Sequence, residues 1–187
     1  AILCGLAFLI LIQFNTLTII LGFASMVLAF SYPFMKRITY WPQFFLGLTF
    51  NWGVVMAWTA VTNNISFEIV ILYVSAIFWT LGYDTIYGTQ DVADDEIIGI
   101  KSTSVKFKNN IKLFVSFCYF ISSTLIVFLF YNKFSLNNFS LLIAIYISSL
   151  MYQIIKFKKN DPKKCLEAFK INNLSGLFLF SGIFLIN

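Results

Sequence analysis

Long, almost unbroken apolar runs separated by short polar connections organise this chain, over residues 1–13, 16–34, 43–61, 66–87, 111–131, 139–157 and 174–186. The runs are continuous rather than alternating polar and apolar, which predicts membrane helices and not the strands of a membrane barrel. A helix needs roughly 20 residues to cross the hydrocarbon core, and the five middle runs come close to that length. The first run is too short and lacks the basic flank of a signal peptide. It reads as the remaining part of a cut helix, so the chain is expected to be a fragment. The last run is also short and is expected to tilt, to be clipped or to thin the bilayer locally. Very short connections at Phe14-Asn15 and at 62–65 make the adjoining helices antiparallel neighbours. No internal repeat or low-complexity segment interrupts the pattern, so residues 1–187 form a single transmembrane domain.

Composition agrees with this reading: 59% of the residues are hydrophobic and 11% are charged, against about 25% charged in an ordinary soluble domain. The net charge of +5 does not signal nucleic acid, because the basic residues sit between the spans. Twelve of the 13 are on one side: Lys36 and Arg37, then Lys101, Lys106, Lys108 and Lys112, then Lys156, Lys158, Lys159, Lys163, Lys164 and Lys170. Lys133 alone falls opposite. An excess of lysine and arginine in short loops marks the cytoplasmic side. Seven of the eight acids share that side, leaving Glu68 opposite, and the positive-inside rule says little about carboxylates. The chain has no histidine, which removes the commonest general base and metal ligand. Cys4, Cys118 and Cys165 show no CxxC spacing and carry neither a disulfide nor a metal signal.

The acids concentrate after the fourth run. Asp84, Asp91, Asp94, Asp95 and Glu96 lie within thirteen residues. If the helix continues past Tyr87, Asp84, Tyr87, Asp91 and Asp95 share one face. Stacked carboxylates at Asp91 and Asp95 repel each other, and a divalent cation would reverse that sign. Oxygen ligands without histidine or cysteine select Mg²⁺ or Ca²⁺, and Mg²⁺ characteristically combines one or two carboxylates with water and substrate phosphates. The alternative is a solvated acidic loop. Asp84 weighs against it, because a carboxylate beside an apolar run is costly unless it faces the bundle interior or a wet cavity. On the same side, Tyr32 and Lys36 are four apart on one helix face and Arg37 follows. They are either interfacial and topogenic residues, or an anion clamp in which lysine meets a diphosphate, tyrosine donates a hydroxyl and arginine forks onto a carboxylate.

The run YDTIYGTQDVADDEIIGIKST (83–103), together with YPFMKR (32–37), resembles the UbiA-type membrane prenyltransferases. The similarity extends along the chain through Trp41-Pro42-Gln43 and the segment 168–173. The resemblance implies an all-α membrane fold in which this chain is the seven-helix part of a nine-helix bundle around a central cavity. It implies that Asp91 and Asp95 bind Mg²⁺, that Tyr32 and Lys36 hold a polyprenyl diphosphate, and that Arg37 receives an acceptor's carboxylate. Asp84, Tyr87, Asp94, Lys101 and Ser102 fall in the same signature, with Asp84 or Asp91 as an acceptor of a proton. The family's first aspartate motif, NDxxDxxxD, is absent from this sequence, so the chain alone is expected to be weakly active or inactive.

The implied reaction is Mg²⁺-dependent transfer of a polyprenyl group to the ring of 4-hydroxybenzoate, as in ubiquinone biosynthesis, in a bacterial cytoplasmic membrane with the site facing the cytoplasm. Transfer to a haem, naphthoate or chlorin acceptor is the alternative within the family. A transporter with an acidic cytoplasmic mouth is the alternative outside it, although it calls for acids or broken helices near the midplane.

Overall fold

The structure is a computed structural model that describes residues 2–186; Ala1, where the first apolar run starts, lies outside the described residues. Every described apolar run is helical. The order is α1 (Ile2–Leu11), α2 (Thr16–Ile38), α3 (Pro42–Phe50), α4 (Trp52–Thr62), α5 (Phe67–Gly88), α6 (Val92–Ile98), α7 (Thr103–Lys106), α8 (Ile111–Leu129), α9 (Asn138–Lys156), α10 (Pro162–Lys170) and α11 (Asn172–Phe184). Short 3₁₀ turns cover Thr89–Asp91 and Tyr131–Lys133.

Polar residues between the apolar runs start the helices. Asn15, Ser66, Asn137 and Asp161 each accept a backbone N–H from the first turn of α2, α5, α9 and α10, satisfying donors that have no partner inside the helix. Asn15 does more: its amide also donates to the Thr59 carbonyl at 2.7 Å, fixing the start of α2 to the end of α4.

Five segments are long and apolar enough to cross a membrane: Thr16–Ile38, Pro42–Thr62, Phe67–Ile98, Ile111–Leu129 and Asn138–Lys156. Large apolar side chains such as Val27, Phe30, Phe120, Leu141, Ile155 and Phe180 point outward, as lipid-facing residues do. The chain is an integral membrane protein. At its centre α5 packs against α8, α3, α4 and α10, and α9 packs against α11 and α8. Lipid tails are as apolar as leucine, so close packing and interhelical hydrogen bonds hold such a bundle together. Gly82 of α5 shows the packing, because a Cβ there would lie 2.4 Å from Cε1 of Tyr119 on α8. Tyr119 in turn donates to Gln153 on α9 at 2.5 Å, and Gln153 donates to Ser175 on α11 at 3.1 Å.

Three local features differ from the sequence-based expectation. The third run is two helices, broken at Asn51, whose amide donates to the Gly47 and Ala76 carbonyls and to Thr80 Oγ1. The acidic segment is not one continuous helix: α5 stops at Gly88 and a 3₁₀ turn intervenes before α6. Thr89 Oγ1 and Ser104 Oγ both donate to the Thr85 carbonyl at 2.8 Å, occupying the acceptor that the next helical turn would use. Finally, the connection after α9 contains the amphipathic helix α10. Its buried positions, Cys165 and Ala168, are too few to register as an apolar run.

Candidate active site

The end of the bundle that carries Lys36, Lys101 and Lys108 holds a small polar cavity of about 150 Å³, which brings together residues from four parts of the chain. The last turns of α2 supply Tyr32 and Lys36. The end of α5 supplies Asp84, Tyr87 and Gly88, the 3₁₀ turn Asp91, and α6 Asp95. Pro42 and Gln43 at the start of α3, with Ile100 and Ser102 ahead of α7, complete the lining.

The break in the acidic helix therefore does not scatter the aspartates. Asp84, Asp91 and Asp95 face one cavity although they belong to three elements. The segment after α6 turns back through Gly99, whose φ of 80° lies in the left-handed region that glycine adopts without cost. It then docks on α2, where the Lys101 N–H donates to the Lys36 carbonyl at 2.9 Å and Lys101 Nζ donates to the Ile38 carbonyl at 3.2 Å. Gln43 Oε1 accepts the Thr103 N–H at 2.9 Å, and the Thr85 and Thr103 hydroxyls meet at 2.7 Å. These bonds fix the position of the basic end of α2 relative to the acidic end of α5.

Among the described residues the ion pairs are Lys108–Glu96 and Lys156–Glu167, and none of these four lines the cavity. Lys36 and the three aspartates thus face a common space without pairing directly. Among the described residues no three histidine, cysteine or carboxylate side chains converge tightly enough to cage a metal by themselves. What remains is a group of aspartates with a tyrosine hydroxyl and an ammonium beside them. The carboxylates suit a hard divalent cation that takes one or two of them and completes its shell with water and phosphate oxygens, and the ammonium suits the phosphate rather than the metal.

Seven of the ten site residues expected from the sequence line this cavity: Tyr32, Lys36, Asp84, Tyr87, Asp91, Asp95 and Ser102. Arg37 and Asp94 are exposed and lie outside the lining. Lys101 braces the end of α2 instead and lies over the Tyr40 ring at 5.8 Å. Sequence reasoning did not assign Gln43 to the site, although a glutamine at the very start of an apolar run was a visible signal. It is buried, and it links α3 to α7. Gly88 was also missed; a Cβ there would lie 2.7 Å from Ser104 Oγ.

One helical turn deeper on α5, Thr80 and Tyr83 line a second cavity of about 270 Å³ with Phe50, Asn51, Trp79 and Phe169. Phe169 joins the two levels, with its ring 4.8 Å from that of Tyr87 and 5.8 Å from that of Tyr83. A larger apolar cavity of about 640 Å³ between α1, α2 and α4 has no charged lining residue.

Comparison with known proteins follows the same lines. The sequence profile described as the UbiA prenyltransferase family matches residues 1–179. The "4-hydroxybenzoate polyprenyltransferase, mitochondrial" of Arabidopsis thaliana is 41% identical over 94% of this chain and 44% of its own length. The bovine protein of the same name is 40% identical over 97% of this chain and 49% of its own. The "4-hydroxybenzoate octaprenyltransferase" of Psychromonas ingrahamii is 37% identical over 98% of this chain and 64% of its own. The chain therefore spans less than two thirds of the length of each of these relatives. A solved apo structure of a UbiA homolog from Aeropyrum pernix K1 superposes with a TM-score of 0.76 at 19% identity, covering 93% of this chain and 66% of that one, which establishes the shared fold. A polar cavity of aspartates and a lysine at one end of a helical membrane bundle, a matching family profile and a shared fold lead to one conclusion: this chain belongs to the UbiA prenyltransferase family.

Proposed function

We propose that the protein transfers a polyprenyl group from a polyprenyl diphosphate to the aromatic ring of 4-hydroxybenzoate, with Mg²⁺, in ubiquinone biosynthesis. The observation that carries this reading is the shared cavity in which Lys36 and Tyr32 face Asp84, Asp91 and Asp95 without an ion pair between them. Such a space suits a diphosphate, an anion able to contact the ammonium on one side and, with a divalent ion, the carboxylates on the other. The names of the relatives supply the acceptor.

Asp91 and Asp95 would hold the ion, and when bound it supplies positive charge next to the diphosphate oxygens. Lys36 Nζ and the Tyr32 hydroxyl donate to the diphosphate and stabilise the negative charge that builds up as the allylic C–O bond breaks. The electron pair of that bond leaves with the diphosphate. The ring carbon beside the phenol hydroxyl bonds to the prenyl carbon, and Asp84 takes the proton that this carbon sheds. Tyr87 at the polar cavity, with Tyr83 and Phe169 at the second cavity one turn deeper, would exclude water and offer π faces to a cationic prenyl group. Arg37, exposed next to Lys36 and outside the cavity lining, would meet the acceptor's carboxylate, and Ser102 and Gln43 complete the cavity wall. The lysine-rich end faces the cytoplasm of a bacterium, in its inner membrane.

The test is transfer of label from a radiolabelled polyprenyl diphosphate to 4-hydroxybenzoate in membranes carrying the protein, with Mg²⁺ and with EDTA. Labelled prenylated hydroxybenzoate formed only with the divalent ion is the expected outcome, at a low rate from residues 1–187 alone, which lack the first aspartate motif. Equal product in EDTA would remove the metal from the account, and label moving only to another aromatic acceptor would replace the substrate.

A further inference from the structure

From the last residue of α9 through α10 the chain carries six lysines in fifteen residues, Lys156, Lys158, Lys159, Lys163, Lys164 and Lys170, with Asp161 and Glu167 as the only acids there. Both acids are occupied. Asp161 caps α10 by accepting the Lys164 N–H at 3.2 Å, and Glu167 pairs with Lys156 at 3.1 Å. Among the described residues the other five lysines have no carboxylate within ion-pair distance.

The backbone beneath them is pinned. Phe157, Cys165 and Ala168 are fully buried, and the Cys165 thiol contacts the Lys158 carbonyl at 3.3 Å. Burial pushes that thiol up to about 11, so it stays protonated and serves packing. The apolar side of α10 is used up against the protein, which leaves Lys158, Lys159, Lys163 and Lys170 exposed and Lys164 half-buried. Directly membraneward, the last turns of α9 expose Met151, Tyr152 and Ile155, and the first turns of α11 expose Leu174 and Leu177. A cluster of lysines on a pinned backbone therefore adjoins a surface of exposed apolar side chains.

We propose that this face is a docking site for anionic phospholipid, with the acyl chains along α9 and α11 and the headgroup phosphate on Lys158, Lys159, Lys163 and Lys164. Topology alone explains basic residues on this side, but it requires neither a pinned backbone nor an adjoining lipid-facing surface. It is also served by Lys36, Arg37, Lys101, Lys106, Lys108 and Lys112. Lysines near an anionic bilayer surface attract it with a range set by the Debye length, so the interaction weakens as salt rises.

The experiment is lipid retention by the purified protein after mixed phosphatidylglycerol and phosphatidylcholine vesicles, read by native mass spectrometry. The wild type is expected to retain phosphatidylglycerol about tenfold over phosphatidylcholine at low salt, and less as salt is added. K158Q/K159Q/K163Q/K164Q, which leaves the Asp161 cap and every buried side chain in place, is expected to bring the two lipids near parity. The same four positions as arginine should keep the preference. A wild type without preference overturns the proposal, as does a glutamine variant that keeps it. Displacement of phosphatidylglycerol by millimolar inorganic phosphate overturns it too, in favour of an open anion pocket.

Discussion

The two sides of this bundle are built differently. On the α5–α8–α9–α11 side Val115, Cys118, Ile143, Tyr146 and Phe157 are fully buried, and a polar chain runs from Tyr119 through Gln153 to Asn172 and Ser175. On the α1–α2–α4 side α1 has no buried residue, and α2 buries only Thr18 and Gly22 along its 23 residues. The contacts there are few and specific, among them the Thr18–Thr59 hydroxyl bond at 3.0 Å and the Trp52 indole donating to the Leu21 carbonyl at 3.0 Å. The candidate site straddles the seam. Its carboxylates come from the tightly packed side and its ammonium from the looser one, so the geometry of the cavity rests on the bonds that tie α2 and α3 to the segment after α6.

The largest contrast in stability is expected between two glycines. Gly82→Ala forces a methyl against Tyr119 in the tight half and should cost about 1–3 kcal/mol. Gly5→Ala meets nothing within 4 Å in α1 and should gain about 0.5–1 kcal/mol from helix propensity. Denaturant titration in detergent measures both, and equal effects would erase the distinction between the two sides. Next, Gln153→Leu removes partners of Tyr119, Asn172 and Ser175 at once and should destabilise by about 1–2 kcal/mol. Thr59→Val, which breaks one hydroxyl pair on the looser side, should cost about 0.6 kcal/mol. A modest change in stability with a visible functional effect is expected at the seam. Gln43→Leu frees the Thr103 N–H and should weaken prenyl diphosphate binding about tenfold, roughly 1.4 kcal/mol, while the thermal midpoint moves by only a few degrees. Unchanged affinity in isothermal titration would show that the seam does not set the site.

Much of this was legible in the sequence because the signals were physical and local. Continuous apolar runs announced the spans, and the short connection at Phe14-Asn15 placed the start of α2. The i, i+4 spacing of Tyr32 and Lys36 placed both on one helix face, and both line the cavity. Asp84 stood out as a carboxylate next to an apolar run. What stayed hidden depends on partners distant in sequence. The stop at Gly88 requires Ser104 as well as Thr89 on the Thr85 carbonyl. The break at Asn51 requires Thr80 and Ala76 of α5. Gln43 becomes a site residue only when Thr103 folds back onto it, and Lys101 becomes a brace only when α2 is there to receive it.

The central claim is that Lys36 and the aspartates of the polar cavity together hold a metal-bound diphosphate. Calorimetric titration of a non-hydrolysable prenyl diphosphate analogue into the purified protein, with Mg²⁺ and with EDTA, tests it most directly when repeated on Asp91→Asn and Lys36→Gln. Binding by the wild type that requires Mg²⁺ is predicted, with affinity at least about tenfold weaker in either variant. Affinity that is indifferent to Mg²⁺, or unchanged in both variants, would contradict it.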